Sequence, residues 1–374
     1  MNEMTRDATR EMVRAAGASA AGARTAMVAR ADLAQVTPYA TAPLDGITLD
    51  LRDNVNLWGA PPTAMAVLRE IGADALATYP SVNATPLTAS VAAQLGVRPD
   101  EVVAGNGSDD LIDACFRAVA APGERVAHME PSFSMVPRFA RLNGLEPVGV
   151  PLRPDGAADI DGLLATGARV IYLCSPNNPT GTITPESEIR RCIAEAPGVV
   201  LLDEAYAEFA GLRDWRAEAP ALGNVLIVRT FSKAWGLAGL RAGVGVGARD
   251  LVDAVVRARG PYAVNAVAER AATVALTQDA AWMRATAAAA VESRTRLDAL
   301  VRGRRGVRAW DSRANFAFWQ VEGDAETYAA RFAAAGIAVR AFRALPGIGD
   351  ALRVGVAPWE RLAGIEAPIA ACWP

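Results

Sequence analysis

Short apolar runs alternate with longer amphipathic segments through the middle of the chain. The runs have the length of strands and are rich in β-branched residues, which predicts buried strands at Arg125–Met129, Arg169–Cys174, Val199–Leu202 and Val225–Arg229. Helical periodicity predicts helices between them at Ser108–Ala120, Phe133–Leu142 and Thr184–Ala194, the last with Thr184 as its N-cap and Pro185 in its first position. This alternation is typical of an α/β fold in which helices cover both faces of a mostly parallel sheet.

The last third of the chain has a different pattern. An Ala-rich helical region runs from Asn265 to about Arg302, and four strands that we expect to be antiparallel follow at Val307–Trp310, Asn315–Val321, Ile337–Phe342 and Leu352–Val356. The prediction is a large α/β domain joined to a small α+β domain. Its boundaries are a tail or short helix over residues 1–32, a segment contributing to the site and the small domain over 33–61, the large domain over 62–261 and the small domain over 262–374.

Only one of the 38 basic residues is a lysine, Lys233. Arginine replaces lysine in surface charge and in most ion pairs, but it cannot serve as an amine that loses its proton and attacks a carbonyl. The single remaining lysine therefore favours covalent chemistry, such as a Schiff base to a carbonyl substrate or to pyridoxal phosphate. A leftover surface lysine is the alternative, so the neighbouring residues must decide.

Lys233 lies just beyond the predicted strand Val225–Arg229, and a Gly-rich stretch follows it. In open α/β sheets, ligands bind just beyond the carboxyl ends of strands, so Lys233 lies where a ligand is expected. Ser232 supplies a hydroxyl and Arg241 a permanent bidentate cation, and this pair suits a phosphate.

Two more segments provide polar groups next to predicted elements. Gly105–Asp110 is a Gly-rich turn that leads into a helix, where backbone amides and the Ser108 hydroxyl can hold a phosphate; an ordinary helix N-cap is the alternative. Ser175–Gly181, with the sequence SPNNPTG, follows a strand and offers an amide side chain to a phenolic oxygen. A simple strand-exit turn, to which Asn and Pro are suited, is the alternative there.

Asp203 and Arg353 are the charged candidates. Asp203 ends an apolar strand, where a carboxylate is costly unless it meets a cation, and a protonated pyridine nitrogen is such a cation. Capping of the next helix is the alternative role for Asp203. Arg353 lies in a C-terminal strand, where it can clamp a substrate carboxylate, although as one of 37 arginines it is weak evidence by itself.

Composition and charge exclude several classes of protein. A net charge of -3 and a pI near 5.5 give no sign of a nucleic-acid partner, and the longest apolar runs are far too short to span a membrane. Residues 1–32 lack the pattern of a signal peptide, so we expect a cytoplasmic protein. His128 is the only histidine, which excludes Ser-His-Asp hydrolysis and most zinc catalysis, and we expect it in the core. The cysteines have no metal-binding spacing, so we expect no metal and free thiols at Cys115, Cys174, Cys192 and Cys372.

Taken together in this order and spacing, the segments resemble the class I/II, fold-type I pyridoxal-phosphate aminotransferases, most closely the histidinol-phosphate aminotransferase branch. The resemblance covers about residues 33 to 360. Its motifs are Pro38–Tyr39, Tyr79–Pro80, GNGSDD from Gly105, Glu130–Met135, SPNNPTG, DEAY from Asp203, RTFSKAWGLAGLR from Arg229, Pro261–Asn265, Arg313–Phe316, Gly336–Arg340 and LRVG from Leu352. It implies the fold-type I architecture, and pyridoxal 5'-phosphate as the cofactor.

The resemblance also implies a role for each candidate that binds the cofactor. Lys233 would form the internal aldimine and act as the general base, and Asp203 would hold the pyridine nitrogen. The remaining contacts would come from Tyr206 and Asn178 at the phenolic oxygen, from Phe133 stacked on the ring, and from Gly107, Ser108, Ser232 and Arg241 at the phosphate, with Asp109 in the same cofactor-binding set. Tyr79 would reach the phosphate from a partner subunit, so a homodimer with shared active sites is part of the prediction.

On the substrate side, the resemblance implies that Arg353 holds the carboxylate or an equivalent polar end. Tyr39, Tyr262 and Arg340 would line the distal pocket, and Asn54 lies in the same region. The activity implied is amino transfer between an amino acid or amino phosphate and a 2-oxo acid with ping-pong kinetics.

Three departures from the branch affect the identity of the donor. The usual Asn-Glu-Asn-Pro is replaced by Asn54–Leu57, Val136 stands where the family often has Tyr, and no arginine occurs near Gln320. Because these positions lie on the substrate side in the family, a histidinol-phosphate-like donor and an aromatic or specialised one are both open, as are primary and secondary metabolism.

One other function remains open, and the sequence argues against two more. A decarboxylase of the threonine-phosphate type shares nearly all of these motifs, and release of carbon dioxide would distinguish it. A transcriptional sensor would need a DNA-binding helix-turn-helix, for which Met1–Leu33 is too short and not basic enough. A dinucleotide-binding oxidoreductase is excluded because the turn at Gly105–Asp110 lacks the third glycine and a following ribose-binding acid.

Overall fold

The computed structural model describes residues 45–374, and a seven-stranded sheet forms its centre. Numbered along the chain, the strands of this sheet and of two smaller sheets are β1 (Leu49–Asp50), β2 (Val102–Asn106), β3 (Arg125–Glu130), β4 (Glu146–Pro151), β5 (Val170–Cys174), β6 (Val199–Asp203), β7 (Val225–Thr230), β8 (Ala242–Gly247), β9 (Val307–Ala309), β10 (Phe316–Val321), β11 (Ile337–Ala338), β12 (Arg340–Leu345) and β13 (Gly349–Gly355). The central sheet has the order β2-β8-β7-β6-β5-β3-β4.

The central sheet is mostly parallel, as the sequence predicts. The pairs β4–β3, β3–β5, β5–β6 and β6–β7 are parallel, whereas β8 runs antiparallel to both β7 and β2. The apolar pattern did not reveal β2, β4 or β8. Pro147 and Pro151 interrupt β4, and β8 alternates glycine with alanine or valine, so neither forms a continuous β-branched run.

Helices cover both faces of this sheet. The helices are α1 (Pro62–Arg69), α2 (Ala73–Ala77), α3 (Thr85–Leu95), α4 (Gly107–Val119), α5 (Met135–Leu142), α6 (Ile160–Ala165), α7 (Glu186–Glu195), α8 (Ala207–Ala210), α9 (Ala219–Leu222), α10 (Arg249–Ala258), α11 (Ala266–Gln278), α12 (Ala280–Val301), α13 (Ala325–Ala334) and α14 (Glu366–Cys372), with 3₁₀ turns at Pro99–Glu101, Arg216–Glu218, Ala238–Leu240 and Trp359–Leu362. Alternate residues of β5 join opposite cores: Ile171 and Leu173 pack with α3, α7 and α11, whereas Tyr172 and Cys174 pack with α4, α5 and α10.

A four-stranded antiparallel sheet of order β12-β13-β10-β9 forms the smaller unit that the sequence predicts. The predicted strand Ile337–Phe342 is instead two strands. Its first part, β11, pairs in parallel with β1, and its second part, β12, joins the antiparallel sheet. Leu49 and Leu51 thereby enter the same apolar core as Phe316 and Trp319.

One local prediction was wrong, and the predicted Ala-rich helical region gains a detail. Thr184 does not cap α7, because its hydroxyl accepts a hydrogen bond from the Ala158 amide (3.1 Å) and Pro185 occupies the N-cap position. The Ala-rich region is two helices that meet at Asp279. The buried carboxylate of Asp279 accepts bonds from the amides of Thr63 (3.1 Å) and Ala64 (3.0 Å), so it binds the start of α1.

Candidate active site

The candidate residues meet at the carboxyl edge of the central strands. In the parallel register, Cys174, Asp203 and Val228 lie side by side at the ends of β5, β6 and β7. SPNNPTG, DEAY and the Lys233 segment each begin at or just after one of these ends, so three loops from distant parts of the sequence converge here. This is the edge at which open α/β sheets bind ligands.

Lys233 is held over the site by the backbone of residues 52–54. Its Nζ donates a hydrogen bond to the carbonyl oxygen of Asp53 (2.8 Å) and lies 5.9 Å from the centre of the Tyr206 ring. Burial, and then the positive charge of Arg353, lower the pKa of Lys233 from 10.5 to about 8. Arg241 also lowers this pKa, but by less than Arg353 does. The amine therefore loses its proton at a pH where a surface lysine is still charged.

An anion cradle forms where β7 and β2 lead into their loops. Arg241 Nη1 donates to the Ser232 hydroxyl (3.2 Å), and Nη2 lies 3.0 Å from the Asp109 carboxylate at the start of α4. Gly107 has a φ of +81°, and a Cβ at this position would lie 2.6 Å from Arg241 Nη2. The backbone conformation therefore favours glycine at 107, and a Cβ there would push the end of the guanidinium aside.

The backbone beneath the cradle is equally close-packed. A Cβ on Gly243 of β8 would lie 2.5 Å from the Ser108 nitrogen and from the Gly107 carbonyl carbon. Ser108 lies in the first turn of α4, where free amides and the helix dipole favour an anion. The donors of this cradle thus suit the phosphate that the sequence analysis places here.

Asp203 is a buried carboxylate at the end of β6. Its Oδ2 accepts from the Tyr172 hydroxyl (2.8 Å) and its Oδ1 from the Ala205 amide (3.0 Å). Burial raises the pKa of Asp203 to about 6, although these two hydrogen bonds oppose that rise. Among residues 45–374, its hydrogen-bond donors are this phenol and this amide and not a cation, and this fits a site for a protonated ring nitrogen.

Tyr206 and Asn178 have different hydrogen-bond partners. Tyr206 is buried, its pKa is raised to about 12 by burial, and its hydroxyl accepts from Asn54 Nδ2 (3.2 Å). Asn178 accepts a bond from Arg353, which also donates to the carbonyl of Arg52. The structure therefore joins two predicted cofactor residues, Tyr206 and Asn178, to two predicted substrate residues.

The other predicted residues lie farther out or only partly buried. Phe133 is half-buried and packs against the core that contains Tyr172. Tyr79 is 81% exposed, and its ring stacks on that of Tyr262 at 4.6 Å, so this pair lies at the protein surface. Arg340 pairs with Arg353 across β12 and β13. Tyr39 lies outside the described residues.

Three groups at the site were missed from the sequence. The Asp53 carbonyl holds Lys233, the Tyr172 hydroxyl contacts Asp203, and the Asn315 amide donates to the Asn54 carbonyl (2.9 Å), where Asn54 has a φ of +53°. A backbone carbonyl carries no sequence signal. Tyr172 and Asn315 sit in apolar runs, where a lone polar side chain was available as a signal.

Outside this edge, the histidine and the cysteines that composition singled out are buried. His128 is buried, its Nδ1 lies 2.9 Å from the Met129 carbonyl, and burial lowers its pKa. The four cysteines are free and buried. Within residues 45–374, no group of three or more His, Cys, Asp or Glu side chains is arranged to hold a metal ion. No helix of that same region combines the length and apolar character needed to cross a membrane.

Similarity to known proteins identifies the family of this chain. The family model for aminotransferase class I and II matches residues 47–360, which includes every described residue of the candidate site. The chain belongs to the class I and II aminotransferases. A histidinol-phosphate aminotransferase of Erythrobacter litoralis is 39% identical over 351 residues, covering 90% of this chain and 94% of that protein.

Solved structures of the family share the fold. The histidinol-phosphate aminotransferase from Sinorhizobium meliloti, solved in complex with pyridoxal-5'-phosphate, superposes with a TM-score of 0.83 at 24% identity, over 92% of this chain and 99% of that one. The L-threonine-O-3-phosphate decarboxylase from Porphyromonas gingivalis gives 0.72 at 24% identity, over 87% and 99%. At such identities, the similarity establishes the architecture that this aminotransferase shares with both.

Proposed function

We propose that this aminotransferase uses pyridoxal 5'-phosphate to move an amino group from a histidinol-phosphate-like or aromatic amino donor to a 2-oxo acid, with ping-pong kinetics. The observation that carries the proposal is the chain's single lysine, which lies at the strand edge with a lowered pKa, close to a buried carboxylate and an anion cradle. The match to curated histidinol-phosphate aminotransferases supports this donor class.

Each side chain then has a defined task. When bound, pyridoxal phosphate supplies a ring that takes up the electron pair left when the substrate Cα–H bond breaks. Lys233 Nζ accepts the Cα proton and later returns it, which its lowered pKa permits near neutral pH. Asp203 keeps a proton on the ring nitrogen, and Tyr206 and Asn178 bond the phenolic oxygen. Arg353 holds the polar end of the substrate.

The anion cradle fixes the other end of the cofactor. Gly107, Ser108, Ser232 and Arg241 bind its phosphate, and Asp109 holds the Arg241 guanidinium in place across 3.0 Å. Phe133 stacks on the ring. Together these residues would hold both ends of the cofactor at the sheet edge that carries Lys233.

Amino transfer is tested with the purified protein loaded with pyridoxal phosphate. Histidinol phosphate, aromatic amino acids and amino phosphates are added in turn, and absorbance is followed between about 320 and 430 nm, where the bound cofactor absorbs. We expect one donor class to bleach the long-wavelength band and a 2-oxo acid to restore it. Lys233→Arg is the matched control, because it keeps the charge and removes the nucleophile.

Release of carbon dioxide instead of an oxo acid would replace this proposal with a decarboxylase of the threonine-phosphate type. Full turnover by Lys233→Arg would refute the role of the lysine in either reaction.

We further propose that the enzyme is a homodimer with shared sites. Tyr79 and Tyr262 form an exposed stacked pair, and Leu76 and Val82, three residues before and after Tyr79 in the sequence, are exposed as well. This segment therefore offers apolar side chains to a second copy. Tyr79 of that copy would reach the cradle. Mixing Lys233→Arg chains with Tyr79→Phe chains tests this. If the sites are shared, the hybrid dimers should differ in cofactor affinity from the dimers of either variant alone. We also propose the domain boundaries given in the first subsection and a cytoplasmic location.

A further inference from the structure

Tyr172 is a buried tyrosine whose hydroxyl the reaction does not use directly. Because residues two apart on a strand share a face, Tyr172 and Cys174 point to the same side of the sheet, and Asp203 lies opposite Cys174 on β6. The Tyr172 hydroxyl therefore approaches Asp203 from the neighbouring strand and donates a hydrogen bond to Oδ2 (2.8 Å). Tyr172 is fully enclosed, so no water competes for this bond.

We propose that Tyr172 is a positioning residue that orients the Asp203 carboxylate and holds it in the ionised form required to bind the cofactor ring nitrogen. This inference rests on the role proposed above for Asp203. It assigns a function to a phenol in the core of the sheet.

The hydrogen bonds around Asp203 explain how the phenol acts. Tyr172 donates to Oδ2 and the Ala205 amide donates to Oδ1, so both oxygens are fixed and the carboxylate plane cannot rotate. Each carboxylate oxygen accepts more than one bond, which leaves a lone pair for a ring N–H. A hydrogen bond to the ionised form also favours ionisation.

The other charged groups near Asp203 act in the opposite direction. Asp109 at the start of α4 and the adjacent Glu204 are acidic and raise the pKa of Asp203, as does burial, while Cys174 is a buried neutral thiol. Among the side chains of residues 45–374, the Tyr172 phenol is the one that opposes these influences by a direct hydrogen bond to Asp203. Removing it should leave Asp203 harder to ionise.

Tyr172→Phe removes the donor and keeps the ring. The affinity for pyridoxal phosphate is measured by fluorescence titration of cofactor-free protein from pH 5 to 8. As the pH falls, we expect the affinity of the variant to begin to drop about one pH unit higher than that of the parent, the size expected for one hydrogen bond to a carboxylate. Tyr328→Phe is the matched control, since it removes a tyrosine hydroxyl that bonds a backbone carbonyl (2.8 Å) far from this edge. Its pH profile should not move.

Two further variants separate the possible failures. In an Asp203→Asn background, Tyr172→Phe should cause no additional shift, whereas a shift of equal size there would show a purely structural effect and overturn the inference. If the pH dependence of cofactor affinity does not move in Tyr172→Phe, the inference is overturned as well. If Asp203→Asn alone leaves cofactor affinity unchanged, the role proposed for Asp203 fails instead. Tyr172→Leu repeats the test without the donor if the phenylalanine variant does not melt cooperatively.

Discussion

Replacing Arg353 with glutamine tests whether the structure lowers the pKa of Lys233. Attack by Lys233 requires the neutral amine. A pKa of about 8 instead of 10.5 leaves about one amine in ten neutral at pH 7, rather than about one in 3,000, a difference of roughly 300-fold. Arg353 is the largest charged contributor after burial, and both side chains bind neighbouring carbonyls, of Arg52 and Asp53. We expect Arg353→Gln to raise the pKa by about one unit, a tenfold loss of neutral amine.

The assay is the rate at which pyridoxal phosphate attaches covalently to cofactor-free protein between pH 6 and 10. The product is trapped with borohydride and quantified as the modified Lys233 peptide. A chain with one lysine gives one such peptide apart from the N-terminus. The parent rate should reach half its plateau near pH 8 and the variant near pH 9. Arg308→Gln, an exposed arginine in the same small sheet, is the control and should match the parent.

Two results would refute this reasoning. A parent rate that is still rising steeply at pH 10, with no plateau, would mean that the amine is not desolvated in the protein. A parent midpoint near 8 that Arg353→Gln leaves unchanged would mean that burial alone lowers the pKa, and that the arginine charge does not reach the amine.

Three further outcomes follow from the packing. Gly243→Ala should weaken pyridoxal phosphate binding at least tenfold in a fluorescence titration, because its Cβ meets the cradle backbone at 2.5 Å, whereas Gly239→Ala, with nothing within 4 Å, should bind normally. Asp279→Ala should lower the free energy of unfolding in urea by about 1–2 kcal/mol, since the start of α1 loses its acceptor. Arg229→Gln should lower the free energy of unfolding by about 3–5 kcal/mol at pH 8, because the buried Glu204 carboxylate loses its cation (2.8 Å). The loss should be smaller at pH 5, because protonation of Glu204 removes the unpaired charge.

Local patterns were enough for the strands and helices whose sequences are regular. β5, β6 and β7 are apolar runs buried on both faces, so their position and parallel pairing followed from composition and from the helices between them. β8 was missed because its glycines remove the β-branched signal, and one of them, Gly243, is required by the close approach of Gly107 and Ser108. The break at Asp279 was missed because helical periodicity continues across it, and only contact with α1 shows why the chain turns there.

The sequence by itself determined which residues are chemically able to act. One lysine, one acid at a strand end and a Gly-Ser turn are local features, so the family and the roles proposed for Lys233, Asp203 and Ser108 could be inferred without coordinates. Only the tertiary structure decided how these groups are tuned. The pKa of Lys233 depends on burial and on Arg353, which is 120 residues away in the sequence, and Asp203 depends on a phenol from the neighbouring strand. Desolvation and Coulomb interactions depend on distances in space, and those distances are set when the sheet and the small antiparallel unit pack together.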